Sequence, residues 1–123
     1  MSEGERESAP SLLRVRVRMA GAVAVVTIEG EVDSGTAGRM AAAVREGLDR
    51  TKAGFCVVDL TGVEHFGAAG LKTLAATSRE AENRREPLRV VVDANRPVIR
   101  PLELSGLEEV LALYHSVEDA LTA

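Results

Sequence analysis

Side chains able to do chemistry are sparse in this sequence, and their spacing argues against most chemistries. His65 and His115 lie far apart, and neither has neighbours spaced like a zinc site. No Gly-x-Ser-x-Gly elbow is present, and the single thiol, Cys56, falls within an apolar run, so no nucleophile is presented. Asp59 and Glu64 do not form an evident acid–base pair. The chain therefore reads as a non-enzyme that needs no metal or cofactor. What remains is backbone, in His65-Phe66-Gly67-Ala68-Ala69-Gly70-Leu71-Lys72. Leu71, Leu74, Ala75, Ser78 and Ala81 mark one stripe of a helix that opens here. Small residues at 67–70 allow a sharp turn and leave the first helical amides uncovered. Such amides have no partner inside a helix and sit at its positive end, so they suit an anion or a partner's carbonyl. The Gly-Ala-Ala-Gly-Leu-Lys run lacks the spacing of a phosphate loop, and taken alone it is more simply a tight strand-to-helix turn.

The rest of the chain must position that turn. Its 123 residues make one domain, long enough to bury a core without metal or disulfide staples. The apolar share of 46% is carried by Ala, Val and Leu; Phe55, Phe66 and Tyr114 are the only aromatics, too few for a base-stacking platform. A net charge of −4 also argues against nucleic acid and favours a protein partner with basic patches. The lone Cys56 cannot form an intramolecular disulfide and reads as a buried, inert thiol. The longest apolar stretch, Met19 to Ile28, is about half of the ~20 residues a membrane helix needs. The acidic N-terminus lacks the features of a signal peptide, so no membrane association and a cytoplasmic location are expected.

In chain order, residues 1–11 read as a flexible tail. Arg14 to Met19 alternates strictly, which predicts an edge strand with three arginines on its wet face. A turn at Ala20-Gly21-Ala22 leads to a second strand, Val23 to Glu29, ended by Gly30, and the two strands form a hairpin. Asp33, Ser34 and Thr36 offer cap oxygens for a helix whose apolar face is Ala37, Met40, Ala41, Val44 and Leu48, with Gly54 as its stop. Phe55 to Leu60 predicts a central strand, followed by a polar turn and a helix from about Ala68 to Arg85. Leu88 to Asp93 gives a further strand. Asn95 is placed to cap a helix from Arg96 to about Ser105, kinked or abbreviated by Pro101 and ended by Gly106. Leu111 to Tyr114 is a short last strand, and Ser116 with Asp119 imitates a capping box for a final turn or two of helix through Leu121. The order β-β-α-β-α-β-α-β-α predicts an α/β fold with a mixed sheet.

Four segments carry a more specific resemblance: Gly30-Glu31-Val32-Asp33, Val57-Val58-Asp59-Leu60, Phe66-Gly67-Ala68-Ala69-Gly70-Leu71 and Leu104-Ser105-Gly106-Leu107. In order and spacing they resemble the successive signatures of anti-sigma factor antagonists in the STAS domain family (sulfate transporter and anti-sigma factor antagonist). The resemblance covers about residues 13–122, so 12–123 is expected to be one STAS domain. It implies a mixed, mostly parallel sheet of four to five strands, an N-terminal hairpin and about four helices. It also implies a bacterial partner-switching protein, which binds an anti-sigma factor with a histidine-kinase-like ATPase fold and so frees a sigma factor. In the family, that kinase phosphorylates a serine at the start of the second helix, and the phosphate prevents rebinding. A monomer or weak dimer is expected.

The family's turn usually reads Asp-Ser-Ser-Gly-Leu or Asp-Ser-Thr-Gly-Leu. Here Gly67 stands at the Asp, Ala68 at the phosphoacceptor serine and Ala69 at the next hydroxyl, while Gly70 and Leu71 are kept. Neither alanine can accept phosphate. An always-competent antagonist, or a paralogue using another input, accounts for this better than an engineered mimic, because the Asp is gone as well. The segment after Asp93 is also about one residue shorter than usual. The expected partner-binding residues are Asp33, Ser34, Thr36, His65, Gly67, Ala68, Ala69, Gly70 and Lys72. The other readings are a ligand- or nucleotide-sensing STAS module and a structural subunit of a signalling assembly.

Overall fold

The computed structural model describes residues 12–123; the tail expected at 1–11 lies outside them. Five strands form one sheet in the order β1-β2-β3-β4-β5. They are β1 (Leu13–Ala20), β2 (Val23–Val32), β3 (Cys56–Phe66), β4 (Leu88–Val91) and β5 (Ala112–Tyr114). The helices are α1 (Ala37–Arg50), α2 (Ala68–Asn83), α3 (Arg96–Ser105) and α4 (Val117–Thr122), with a 3-10 turn at Leu107–Glu109. β1 and β2 pair antiparallel through a two-residue turn at Gly21 and Ala22, where Gly21 takes φ +62°. The β2–β3, β3–β4 and β4–β5 pairs are parallel. This is the mixed sheet with an N-terminal hairpin that the element order predicted.

Alternation along the strands divides the apolar residues between two faces. Ala24, Val26 and Ile28 of β2, with Cys56, Val58 and Leu60 of β3, lie under Met40, Val44 and Leu48 of α1. Leu74 and Ala81 of α2 and Val98 and Leu102 of α3 complete that core. On the other face Val23, Val25, Val57 and Val91 are covered by Ala120 of α4, with Val117 and Leu121 beside it. Beyond α4's cover, Arg14, Arg16 and Arg18 stand exposed on this second face. Arg14 pairs with Glu29 across the hairpin at 3.4 Å. Gly47 lets α1 close on the sheet, since a Cβ there would meet Val26 Cγ2 at 2.5 Å and Cys56 Sγ at 3.0 Å. The Cys56 thiol is buried, and burial above all, with the negative charge of Glu86 second, pushes it up to about 12.

Two strand ends depart from the sequence-based expectation. β2 continues through Gly30 to Val32, and β3 continues through residues 61–66, which read as a polar turn. The reason is an irregular ladder, with register shifts between Thr27 and Glu29 and between Gly30 and Glu31. Gly30 has φ +101°, and a Cβ there would collide with the carbonyl of Leu12, so this glycine carries the strand onward rather than ending it. Gly62 fits against Glu29, whose Cγ would lie 2.8 Å from a Cβ at 62. Elsewhere the bounds move little. α1 stops at Thr51, before Gly54, and Thr51 Oγ1 donates to the Phe55 carbonyl at 2.6 Å. α3 keeps all of Arg96–Ser105 with Pro101 inside it, so it is not abbreviated. Ser116 Oγ accepts from the Asp119 amide at 3.0 Å, as the capping-box pattern predicted.

Candidate functional site

The parallel pairing of β2 and β3 ends at Val32 opposite Phe66, so both strands deliver their following loops to one end of the sheet. The junction is fastened by the Gly67 amide, which donates to the Val32 carbonyl at 2.9 Å. The 33–36 loop and the start of α2 are therefore neighbours, although 31 or more residues separate them in sequence.

The first loop is braced from within. Asp33 Oδ1 accepts from the amides of Gly35 at 2.9 Å and Thr36 at 3.1 Å. Thr36 Oγ1 donates to the Glu31 carbonyl at 2.9 Å and accepts from the Asp33 amide at 3.0 Å. Asp33 and Thr36 thus build the loop, with Thr36 buried and serving as the backbone cap of α1. Neither supplies the side-chain cap hydrogen bond to α1 that the sequence suggested. Ser34, between them, is exposed.

The second half is bare. Gly67 caps α2 with φ −86° and ψ −175°, no side chain caps the helix, and its first turn holds no acidic residue. The Leu71 amide is the first to close back, onto the Gly67 carbonyl at 3.0 Å. The amides of residues 68–70 are consequently left at the positive end of a helix of 16 residues. His65, Ala68 and Lys72 are exposed, Gly67 and Ala69 half-buried, and Gly70 buried. A Cβ at Gly67 would meet only His65 Nε2 at 3.4 Å and the Val32 carbonyl at 3.6 Å, so a side chain fits there. At Gly70 it would meet Val32 Cγ1 at 2.7 Å and Phe66 Cε1 at 3.0 Å, so this glycine is required for α2 to seat on the strand ends. Of the nine expected partner-binding residues, Ser34, His65, Ala68 and Lys72 face outward. Asp33, Thr36 and Gly70 shape the surface from beneath.

Sequence reasoning missed one contributor. Asn95 makes no side-chain cap bond to α3. Its Nδ2 donates instead to the carbonyls of Leu60 at 2.9 Å and Val63 at 2.8 Å, bracing the irregular stretch of β3 that leads into the site. Its partners lie 32 and 35 residues away, so no local signal could have announced them. Among the described residues no group of three or more His, Cys, Asp or Glu could hold a metal ion, and no helix is long and apolar enough to cross a membrane. The site offers backbone donors, one imidazole, one ammonium and a hydroxyl, which is the equipment of a recognition surface.

Comparison with known proteins points the same way. The family profile described as "Mlab, STAS domain" matches residues 15–114. The anti-sigma-F factor antagonist RsfB of Mycobacterium tuberculosis is 38% identical over 116 residues, covering 94% of this chain and 92% of RsfB. The crystal structure of an anti-sigma factor antagonist from Mycobacterium paratuberculosis superposes with a TM-score of 0.80 at 34% identity, covering 92% of this chain and 94% of that one. The Bacillus cell fate determinant SpoIIAA, in its phosphorylated form, shares the fold at 14% identity, with a TM-score of 0.64 over 88% of this chain and 96% of that one. By its profile, its identity to RsfB and its sheet, the chain belongs to the STAS domain family of anti-sigma factor antagonists.

Proposed function

We propose that this chain antagonises an anti-sigma factor of histidine-kinase-like ATPase fold in the cytoplasm, binding it so that a sigma factor is released. The binding face is formed by His65, Gly67, Ala68, Ala69 and Lys72 together with Ser34 of the adjoining loop. The observation that carries this reading is the bare first turn of α2 lying beside the braced 33–36 loop. Donor amides there, with almost no side chain above them, suit a partner's carbonyl or carboxylate. The identity to RsfB across nearly the whole of both chains supports the role. Ala68 and Ala69 carry no side-chain oxygen, so this turn takes no phosphate and stays open to the partner.

The test restores a negative group. Ala68 is exposed in the first turn of α2, and Ala68→Glu sets a carboxylate near the uncovered amides. A negative side chain at such a position stabilises a helix by about 0.3–1 kcal/mol, while unrelated surface changes stay within about 0.5 kcal/mol. The expected outcome is an unchanged or slightly raised melting temperature together with clearly weakened calorimetric binding to the anti-sigma factor. A variant that melts normally and binds as tightly as the parent refutes the assignment of this face.

A further inference from the structure

We propose that the free edge of β1 is a docking strip for the chain's own residues 3–7, which seat on it antiparallel with their acidic side chains over the arginine row. The strip shares no residue with the partner face. β1 pairs with β2 on one side only and is an outermost strand of the sheet. Two hydrogen bonds fix which of its residues face outward. The Leu12 carbonyl accepts from the Glu31 amide, so the even-numbered residues of the strand bond toward β2. The Leu13 carbonyl points the other way and accepts from Arg39 Nη1 at 3.0 Å. Beyond that bond Val15, Val17 and Met19 turn their amides and carbonyls to the edge, and among the described residues nothing meets them there. Such a row of donors and acceptors is a template for one more strand.

Side chains decide which segment fits. Arg14, Arg16 and Arg18 are exposed along one face of this edge. Arg14 meets Glu29 at 3.4 Å, while Arg16 and Arg18 meet no carboxylate among the described residues. A second copy of β1 laid on the edge would set arginines against arginines, which is unfavourable. Residues 1–11 lie outside the described residues, but their sequence runs directly into this strand and holds Glu3, Glu5 and Glu7 at every second position. A reversal over residues 8–13, where Pro10 and Ser11 suit a turn, sets Glu7 opposite Arg14, Glu5 opposite Arg16 and Glu3 opposite Arg18. No other antiparallel register matches all three. These are the non-hydrogen-bonded positions of the new ladder, where opposed Cα atoms lie about 4.5 Å apart, so each opposite-charge pair is close and favourable. Toward α1 the edge overlooks a groove between Val15, Val17 and Ala42, with Arg39 and Glu46 at its rim. Gly4 and Arg6 fall on that side, Gly4 with no side chain to fit and Arg6 long enough to reach the Glu46 carboxylate.

Amide hydrogen exchange on the full chain reads the edge directly. The amides of Val15, Val17 and Met19 are expected to exchange slowly, at rates independent of protein concentration. Glu3→Lys with Glu5→Lys should speed these three amides about tenfold or more, and adding Arg16→Glu with Arg18→Glu, which exchanges the charges across the strip, should restore the slow rates. A disulfide tests the register, because the buried Cys56 does not compete. Glu5→Cys with Arg16→Cys should close within one chain under oxidised glutathione. Glu5→Cys with Ala112→Cys, whose second thiol is exposed on β5 at the opposite edge, should close about tenfold more slowly. Edge amides that exchange at unprotected rates in the parent overturn the proposal, as does slow exchange that survives the two Lys substitutions or is not restored by the charge exchange. Protection that rises with protein concentration assigns the edge to a second copy and overturns it too. Disulfides that form equally fast at 16 and 112 show a segment with no seat on β1, and the proposal falls.

Discussion

Gly70→Ala asks whether the start of α2 is seated as tightly as the geometry requires. The added Cβ would lie 2.7 Å from Val32 Cγ1, and 3.0 Å and 3.1 Å from Phe66 Cε1 and Cδ1. Carbon atoms in favourable contact sit about 3.5–4.0 Å apart, so all three contacts are too short. Val32 is 0% exposed and Phe66 4%, so neither neighbour has solvent to move into. Forcing one methyl into such a core costs about 1–3 kcal/mol. Against this stands the helix preference for Ala over Gly, at most about 1 kcal/mol and less in a first turn whose backbone is only half committed. Overpacking wins, and the net loss is about 1–2 kcal/mol. For a domain of this size each kcal/mol moves the midpoint by roughly 3–6 °C, so a fall of roughly 3–12 °C is expected.

Gly38→Ala is the internal control. It makes the same exchange near the start of α1, where a Cβ meets nothing within 4 Å. Without the clash only the propensity and unfolded-chain terms remain, and the variant gains a few tenths to about 1 kcal/mol. Thermal melts by circular dichroism, with urea titrations to give free energies, measure both signs on one footing. A Gly70→Ala protein that melts at or above the parent refutes the argument. It would mean that α2 does not rest on Val32 and Phe66, and that its first-turn amides are not held where the proposed partner face needs them.

Two further outcomes follow from groups away from the turn. Asn95→Ala strips the Leu60 and Val63 carbonyls of their shared donor, which should cost about 1–3 kcal/mol and speed amide exchange over residues 60–66; a loss under about 0.5 kcal/mol would contradict the bracing role. The buried Cys56 thiol, raised from 9.0 to about 12, should resist iodoacetamide at pH 8 in the native chain and react once urea unfolds it. Its folded pKa lies above its unfolded one, so its contribution to stability is complete below about pH 9 and declines as pH rises toward 12; Cys56→Ala should flatten that alkaline decline, and an unchanged slope would contradict the assignment.

Element order and sheet class were legible in the sequence because they depend on local periodicity. The strict alternation of Arg14 to Met19 and the apolar run of Cys56 to Leu60 each announce a strand without help from the rest of the chain. The outer halves of β2 and β3 were not legible. Gly30, Gly62, Glu64 and His65 look like punctuation, yet the backbone pairing across an irregular ladder holds them extended. That pairing is a property of two strands together, and neither segment encodes it alone. Asp33 and Asn95 show the same limit. Both were read as helix caps from their neighbours; Asp33 instead braces its own loop through the Gly35 and Thr36 amides, and Asn95 braces β3 through contacts that exist only once the strand ends are assembled.

The site residues separate by what the fold asks of them. At Gly70 packing leaves no choice, so the glycine there says nothing about partners. At position 67 the contacts of 3.4 Å and 3.6 Å are ordinary, and residue 68 is exposed, so the fold accepts an Asp or a Ser at either place. An Asp at 67 would even stabilise the helix by satisfying one of its bare amides. The fold therefore does not explain why these positions lack side-chain oxygen atoms, and the explanation belongs to the surface. A turn without acceptor or donor side chains at 67–70 leaves the α2 amides to whatever docks there, with His65, Lys72 and Ser34 exposed around them.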